Sequence, residues 1–167
     1  MSIKKTHKYL ILLFIFLVIF FLDRISTLQI LNILENDGIV DIYINQFINF
    51  YLVWNTGVGF GLFSFDDGNF YTFMTIFILL INIVILIIIL RSNLTLAVFW
   101  TLVLGGSAGN LYDRIFYRAV PDFIDIHLGD FHWFVFNVSD IFITLGVILM
   151  IVLEVFSNKR ETTNEKT

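Results

Sequence analysis

Four long apolar blocks alternate with more polar segments along the chain, at about 9–31, 70–90, 94–112 and 135–156. A helix needs about 20 mainly apolar residues to cross the roughly 30 Å hydrocarbon core of a bilayer. The last three blocks meet this requirement, and the first meets it if Asp23 lies near one membrane face. The pattern therefore predicts a membrane α-helical fold, with four transmembrane helices in a single membrane-embedded domain spanning 1–167.

The first block has a second interpretation, as a cleaved signal peptide. Lys4, Lys5 and Lys8 give it the basic start of such a peptide, and an apolar run follows. The chain lacks the small-residue cleavage site that normally ends a signal peptide, and large side chains follow instead. A retained helix is the favoured interpretation.

The two longer polar segments, at about 32–69 and 115–134, are expected on the outer side of the membrane. Asp41–Asn45 and Asn49–Asn55 carry β-branched and aromatic residues near period two, which predicts short strands. We expect these strands to form a small extracytoplasmic β-rich platform, and the second segment to form an outer loop between helices 3 and 4.

Composition supports the membrane class. The chain is 58% hydrophobic and 14% charged, whereas a soluble domain carries roughly 25% charged residues. The absence of cysteine excludes disulfides, thiolate metal sites and a cysteine nucleophile.

The distribution of charge predicts the orientation. All but Arg24, Arg114 and Arg118 of the ten basic residues lie before block one, between blocks two and three, or after block four. Basic residues near helix ends favour the cytoplasmic side, so both termini are expected in the cytoplasm. The acidic residues, apart from Glu154, Glu161 and Glu165, fall at or near the outer face.

The end of block three is rich in glycine and polar residues. Gly105 and Gly109 are four apart, so they share a helix face where a neighbouring helix can approach closely. Asn110 lies one turn before Asp113 and Arg114, and polar groups within a membrane segment usually have a functional reason. A helix-packing face that ends in an interfacial ion pair is the simpler interpretation of the spacing alone.

Carboxylates flank the start of block four. Asn137 and Asp140 are three apart on one helical face, which is also the pattern of a helix N-cap. Asp122 lies between Val120 and Phe123, which would bury it. If two such carboxylates met in an apolar site, they would share a proton; one would act as a base toward water while the other polarised a carbonyl.

Two other segments contain polar candidates. Asn55 and Gly57 begin a glycine-rich stretch that lacks the Lys-Ser/Thr ending of a phosphate loop, and a turn is the simpler interpretation. His127 and His132 flank Asp130 at a spacing that matches no standard zinc pattern. We expect neither a metal nor a cofactor.

These motifs together resemble one family, the lipoprotein signal peptidases (signal peptidase II) of bacteria. Four segments are similar to the family's N-x-G-x-x-F, G-G-x-x-G-N-x-x-D-R, V-x-D-F and F-N-x-A-D motifs, in order along the chain: Asn55 to Phe60, Gly105 to Arg114, Val120 to Phe123 and Phe136 to Asp140. The resemblance runs from Asp23 to about Thr144 and includes the four-helix layout.

The resemblance implies an aspartyl endopeptidase of the bacterial cytoplasmic (inner) membrane, with its active site near the outer face. Its substrates would be prolipoproteins, cut just before a cysteine that already carries diacylglycerol, and its other partners would be membrane lipids, not nucleic acid. Asp122 and Asp140 match the catalytic pair. The residues that would shape the site are Asn55, Gly57, Asn110, Asp113, Arg114 and Asn137.

Three departures from the family pattern stand out. Ser139 replaces the usual alanine before Asp140, and Ala119 replaces a glycine. The segment from Asp23 to Thr27 only partly resembles D-Q-x-x-K, because Arg24 replaces Gln and Thr27 replaces Lys. The catalytic pair is retained.

A non-enzymatic channel, transporter or adaptor is the alternative function. A conducting path should have polar residues at all membrane depths, whereas here only Asn82 lies in the middle of block two. Convergence of Asp122 and Asp140 within hydrogen-bonding reach would favour the peptidase, and wide separation would favour the alternative.

Overall fold

The computed structural model describes residues 3–57 and 68–164, and within these ranges it contains four helices. They are α1 Ile3–Asp37, α2 Gly68–Arg91, α3 Leu94–Tyr117 and α4 Val138–Asn164. Each contains a stretch long and apolar enough to cross a membrane. The predicted four-helix membrane fold is therefore confirmed.

Helix α3 lies at the centre of the bundle and packs against each of the other three helices. It starts where the Asn93 side chain accepts a hydrogen bond from the Leu96 backbone N–H, which is the bond of an N-cap. The outward faces of the surrounding helices carry large exposed apolar side chains, such as Phe14, Phe73 and Ile151. Such a surface suits contact with lipid.

The helix ends differ from the predicted ones at two places. Helix α1 continues to Asp37, beyond the predicted end near residue 31. Helix α4 begins at Val138, because Val135 and Phe136, which were assigned to block four, end a strand. Apolar residues alone do not mark this boundary, since strand and helix are both apolar there.

The polar segments form one antiparallel sheet in the order β1-β2-β3-β4. Its strands are β1 Asp41–Asn45, β2 Ile48–Asn55, β3 Val120–Leu128 and β4 Phe131–Phe136. The two strands predicted before α2 are present. The predicted outer loop is instead the hairpin of β3 and β4, which turns at Gly129 with a φ of +60°. It completes the sheet.

The sheet is fixed to the end of α1 by an apolar cluster. Ile30, Val40 and Phe123 are buried together, and the Phe50 and Phe123 rings meet edge to face with centroids 5.9 Å apart. Phe123 thereby anchors β3 one residue after Asp122.

Glycines allow α3 to lie close to its neighbours. A Cβ on Gly105 would meet Ile19 of α1, and one on Gly109 would meet Asp23 of α1 and Ser139 of α4. The close approach predicted for these two glycines is confirmed. A Cβ on Gly106 would overlap the Ser139 backbone carbonyl oxygen, which cannot move without the helix.

We expect Gly106→Ala to lower the free energy of unfolding by about 1–3 kcal/mol, the usual range for overpacking a tight interface. Thermal unfolding in detergent would measure this. The control is Ala108→Val, because Ala108 borders an apolar groove of about 460 Å³ with room for the added methyl groups. Equal unfolding temperatures for the two variants would contradict the predicted effect.

Candidate active site

Two carboxyl groups, one buried and one partly buried, lie where the sheet meets the helices. Asp122 is on β3 and is only 3% exposed. Asp140 is in the first turn of α4. They come from segments 18 residues apart, and the β3–β4 hairpin brings them back to one place.

Three asparagine amides connect the two carboxyl groups. Asp122 accepts from Asn55 Nδ2 on Oδ2 at 2.9 Å and from Asn137 Nδ2 on Oδ1 at 2.7 Å. Asp140 Oδ1 accepts from Asn110 Nδ2 at 2.8 Å. Asn137 Nδ2 also donates to Asn110 Oδ1 at 3.0 Å, which closes the chain. The two carboxyl groups are thus linked through amides and not directly to each other.

Asn137 is also the N-cap of α4. The Asp140 backbone N–H donates to Asn137 Oδ1 at 3.1 Å, and the Asn137 N–H donates to Asp140 Oδ2 at 3.3 Å. This reciprocal pair has the form of a capping box. The predicted N-cap is confirmed, and it leaves the Asn137 amide nitrogen free to donate to Asp122.

Burial and, after it, repulsion from the neighbouring Asp140 raise the pKa of Asp122 to about 7. Hydrogen bonds from Asn55 and Asn137 favour the ionised form and act the opposite way. Asp122 can therefore hold a proton close to neutral pH. A carboxylic acid of this kind can donate a hydrogen bond to a substrate carbonyl.

Arg114 fixes the turn that carries Asn55. Its Nη2 donates to the Gly57 carbonyl at 2.9 Å and its Nη1 donates to the Asn110 carbonyl at 3.1 Å. The Gly57 N–H in turn donates to Asn55 Oδ1 at 2.9 Å, which orients the amide toward Asp122. The rest of the glycine-rich stretch, through Phe60, lies outside the described residues.

Asp113 does not pair with Arg114 but with Arg24 of α1. The Arg24 guanidinium donates to both Asp113 oxygens, at 2.5 and 2.7 Å, and to Asp23 Oδ2 at 2.7 Å. Asp23 Oδ1 accepts from the Ser139 backbone N–H at 3.0 Å. This network ties α1 and α3 to the residue that precedes Asp140.

Asp23 and Arg24 were not among the predicted site residues. The available signal was the pair of adjacent opposite charges inside an otherwise apolar helix, because such charges are buried only when they are paired. Thr27 is also fully buried, and its Oγ1 lies 3.5 Å from Arg24 Nη2. The geometry accounts for both departures of this segment, since Arg24 supplies from position 24 the cation that lysine would supply from position 27.

Asp125 falls in the segment that was expected to form an outer loop, but it lies on β3 and is only 3% exposed. His132 Nδ1 donates to its Oδ2 at 2.8 Å, and the rings of His127 and His132 stack. Among the described residues, no group of three or more His, Cys, Asp and Glu side chains is placed to hold a metal ion.

Comparison with known proteins gives one consistent family. A profile described as Signal peptidase (SPase) II matches residues 15–156. The chain is 51% identical over 154 residues to a lipoprotein signal peptidase of Pelagibacter ubique (strain HTCC1062), with 92% of each chain covered. It is 37% identical over 142 residues to a lipoprotein signal peptidase of Anaplasma phagocytophilum (strain HZ), covering 82% of this chain and 86% of the other.

Solved structures agree with the fold. A bacterial membrane enzyme solved by the in meso method at 1.9 Å resolution matches with a TM-score of 0.71 and 27% identity, over 85% of this chain and 90% of the other. A second, at 2.3 Å resolution, has a TM-score of 0.71 and 24% identity, over 89% and 90%.

We expect Arg24→Gln to lower the free energy of unfolding by about 3–5 kcal/mol, because it leaves Asp23 and Asp113 buried without their shared cation. Adding Thr27→Lys should recover most of that loss, since lysine one turn later can reach the same two carboxylates. Thr27→Lys alone should destabilise, because it buries a second cation beside Arg24. Thermal unfolding of the three variants would measure these differences in stability. A double variant no more stable than Arg24→Gln would contradict the idea that lysine at position 27 can replace the cation of Arg24.

Proposed function

The chain belongs to the signal peptidase II family, whose members remove signal peptides from lipoproteins, and we propose that it does so as an aspartyl endopeptidase. The observation that carries this proposal is the amide chain that links buried Asp122 to partly buried Asp140. Buried carboxyl groups held near each other share a proton, and this is the arrangement of aspartic proteases.

In the proposed mechanism, a water molecule lies between the two carboxyl groups. The ionised carboxylate removes a proton from the water, and the water oxygen attacks the scissile carbonyl carbon. The protonated carboxyl group donates to the carbonyl oxygen and stabilises the charge that develops there. Breakdown of the tetrahedral intermediate transfers a proton to the leaving nitrogen and regenerates one shared proton, without a covalent intermediate.

The surroundings of Asp140 suit a lipidated substrate. An apolar groove of about 470 Å³ begins at Asp140 and follows the outward face of α4 beside β4. Its apolar lining includes Ile126, Trp133, Phe134, Phe136, Ile141, Leu145 and Ile148. We propose that the substrate is a prolipoprotein whose cysteine already carries diacylglycerol, and that the cut falls just before this cysteine.

A channel or transporter would need polar groups through the whole membrane depth. The buried charged residues of the described helices instead gather at the end where the sheet lies: Asp23, Arg24, Asp113 and Arg114. This distribution, together with the family, argues against the alternative.

The proposed location is the cytoplasmic membrane, with both termini in the cytoplasm. The sheet and the carboxyl pair lie at the ends of the helices opposite to the start of α1, the Ser92–Asn93 connection and the end of α4. The excess of basic residues on the latter side predicts that it faces the cytoplasm.

We expect a reporter that works only in the cytoplasm to be active when fused after Thr167, and a reporter that works only outside the cytoplasm to be inactive there. The opposite result would reverse the proposed topology.

We expect Asp122→Asn and Asp140→Asn each to reduce kcat by about 10³-fold or more, because asparagine keeps the shape but cannot exchange the proton. Cleavage of a purified lipidated prolipoprotein would be the measurement. The double variant should be little worse than either single variant, since residues that act as one unit are not additive.

Asp130→Asn is the matched control, because this exposed residue lies at the turn of the β3–β4 hairpin and contributes nothing to the amide chain. Near wild-type cleavage by a folded Asp122→Asn or Asp140→Asn variant would rule out the aspartyl mechanism.

The pKa of Asp122 also predicts a pH dependence. Because burial raises it to about 7, activity that needs the shared proton should fall as pH rises through about 7. Asn55→Ala removes a donor that favours the ionised form, so the pKa should rise and the basic limb of the kcat profile should move to higher pH, with a lower maximum. An unchanged basic limb in Asn55→Ala would contradict the assignment, and the exposed Asn36→Ala is the control.

A further inference from the structure

A cavity of about 380 Å³ lies on the sheet. It is lined by Asp41, Asn49, Tyr51, Asp125, His132 and Val135. The strand register places Asp41 opposite Tyr51 and Asp125 between Asn49 and Val135, so residues of all four strands contribute to one face. Asp122 is an odd number of positions from Asp125 on β3 and points to the opposite face. The cavity is therefore separate from the catalytic pair.

This cavity has acceptor oxygens that lack donors. Asp125 is 97% buried, since 3% is exposed, and only its Oδ2 is bonded, to His132. Its Oδ1 is buried without a hydrogen-bond partner, and so is Oδ1 of Asn49 on the neighbouring strand. A buried acceptor left unpaired costs about 1–3 kcal/mol, more when it is charged. The site is built to receive N–H or O–H donors.

We propose that this cavity binds the ammonium or guanidinium group of a basic side chain in the substrate segment that follows the cut. The inference rests on the proposed function. Asp41 and Asp125 supply negative charge, and Asn49 and Tyr51 add uncharged acceptors. A basic side chain brings positive charge and several donors together, which matches that set better than a metal ion, for which the described residues offer no site.

The position of the sheet favours a peptide as the source of the cation. A peptide cut between Asp122 and Asp140 leaves the membrane on the side where the sheet lies. Asp125 is about 10 Å along β3 from Asp122 but faces the other side of the sheet, so the product must pass the β4 edge. Eight extended residues, at about 3.3 Å each, are long enough for that path. A zwitterionic lipid headgroup would bring its phosphate beside Asp41, whereas lysine brings only positive charge.

The test is a substrate series with lysine at each of the second to eighth positions after the lipidated cysteine, each matched by the same peptide with Nε-acetyl-lysine. The wild-type protein, in vesicles of phosphatidylglycerol alone, should cleave one or two of the lysine peptides with about tenfold higher kcat/KM than their acetylated partners. The difference should lie in KM, because the site does not touch the reacting atoms.

The lysine preference is the ratio of kcat/KM for a lysine peptide to that for its acetylated partner. Asp125→Asn should reduce this ratio to about one, because it removes the buried negative charge. Asp41→Asn, at a more exposed position that tolerates change, should reduce it partly, whereas Asp130→Asn should keep it. Cleavage without lysine preference at any position would overturn the cation site and leave the peptidase standing. Failure of the wild-type protein to cleave any peptide of the series would overturn both.

The lipid source is distinguished by repeating the series with phosphatidylethanolamine in the vesicles. Phosphatidylethanolamine could raise kcat/KM equally for lysine and acetyl-lysine peptides, with the increase lost in Asp125→Asn. That result would assign the cavity to a lipid headgroup and overturn the proposal. A preference that follows lysine in both vesicles supports it.

Discussion

Two carboxyl groups confined in a site of low dielectric cannot both ionise without strong repulsion, and much of this structure serves to hold Asp122 and Asp140 close despite it. The amide groups of Asn55, Asn110 and Asn137 donate to the two carboxyl groups but carry no charge, so they favour the ionised forms less strongly than a cation would. Lysine or arginine in direct contact would instead fix both groups as anions and remove the acid of the pair. Arg114 bonds backbone carbonyls, and its charge acts on Asp122 without a direct hydrogen bond.

The positions of these amides depend on a second buried interaction. Arg24 neutralises Asp23 and Asp113 between α1 and α3, and Asp23 also holds the Ser139 N–H at the start of α4. Glycines at the same level bring the helices near enough for these short bonds, since a Cβ at Gly109 would overlap Asp23 and Ser139. Charge pairing and close packing therefore depend on each other. Both are needed to position the start of α4, and with it Asp140.

The sequence predicts what depends on local pattern and motif. The helices follow from apolar length, β1 and β2 follow from alternation, and Asp122 and Asp140 follow from motifs that resemble a family. The β3–β4 hairpin and the Arg24 network were not predictable in this way. The hairpin merges into the apolar start of α4, and the network depends on which helices pack together, which a single helix pattern does not reveal. Asp125 illustrates the same limit, because residue type alone does not distinguish an aspartate in an exposed loop from one on a buried strand.

The sheet gives the site something that a helix bundle alone does not. Alternation along β3 sends Asp122 toward the asparagine amides and Asp125 toward the opposite face, so one strand carries two buried carboxyl groups in different surroundings. Asp122 has its donors within the protein, whereas Asp125 keeps an oxygen without one. A carboxyl group whose donors are internal is suited to chemistry that needs a fixed geometry. A carboxyl group that lacks a donor is suited to binding, because its ligand supplies the missing bond.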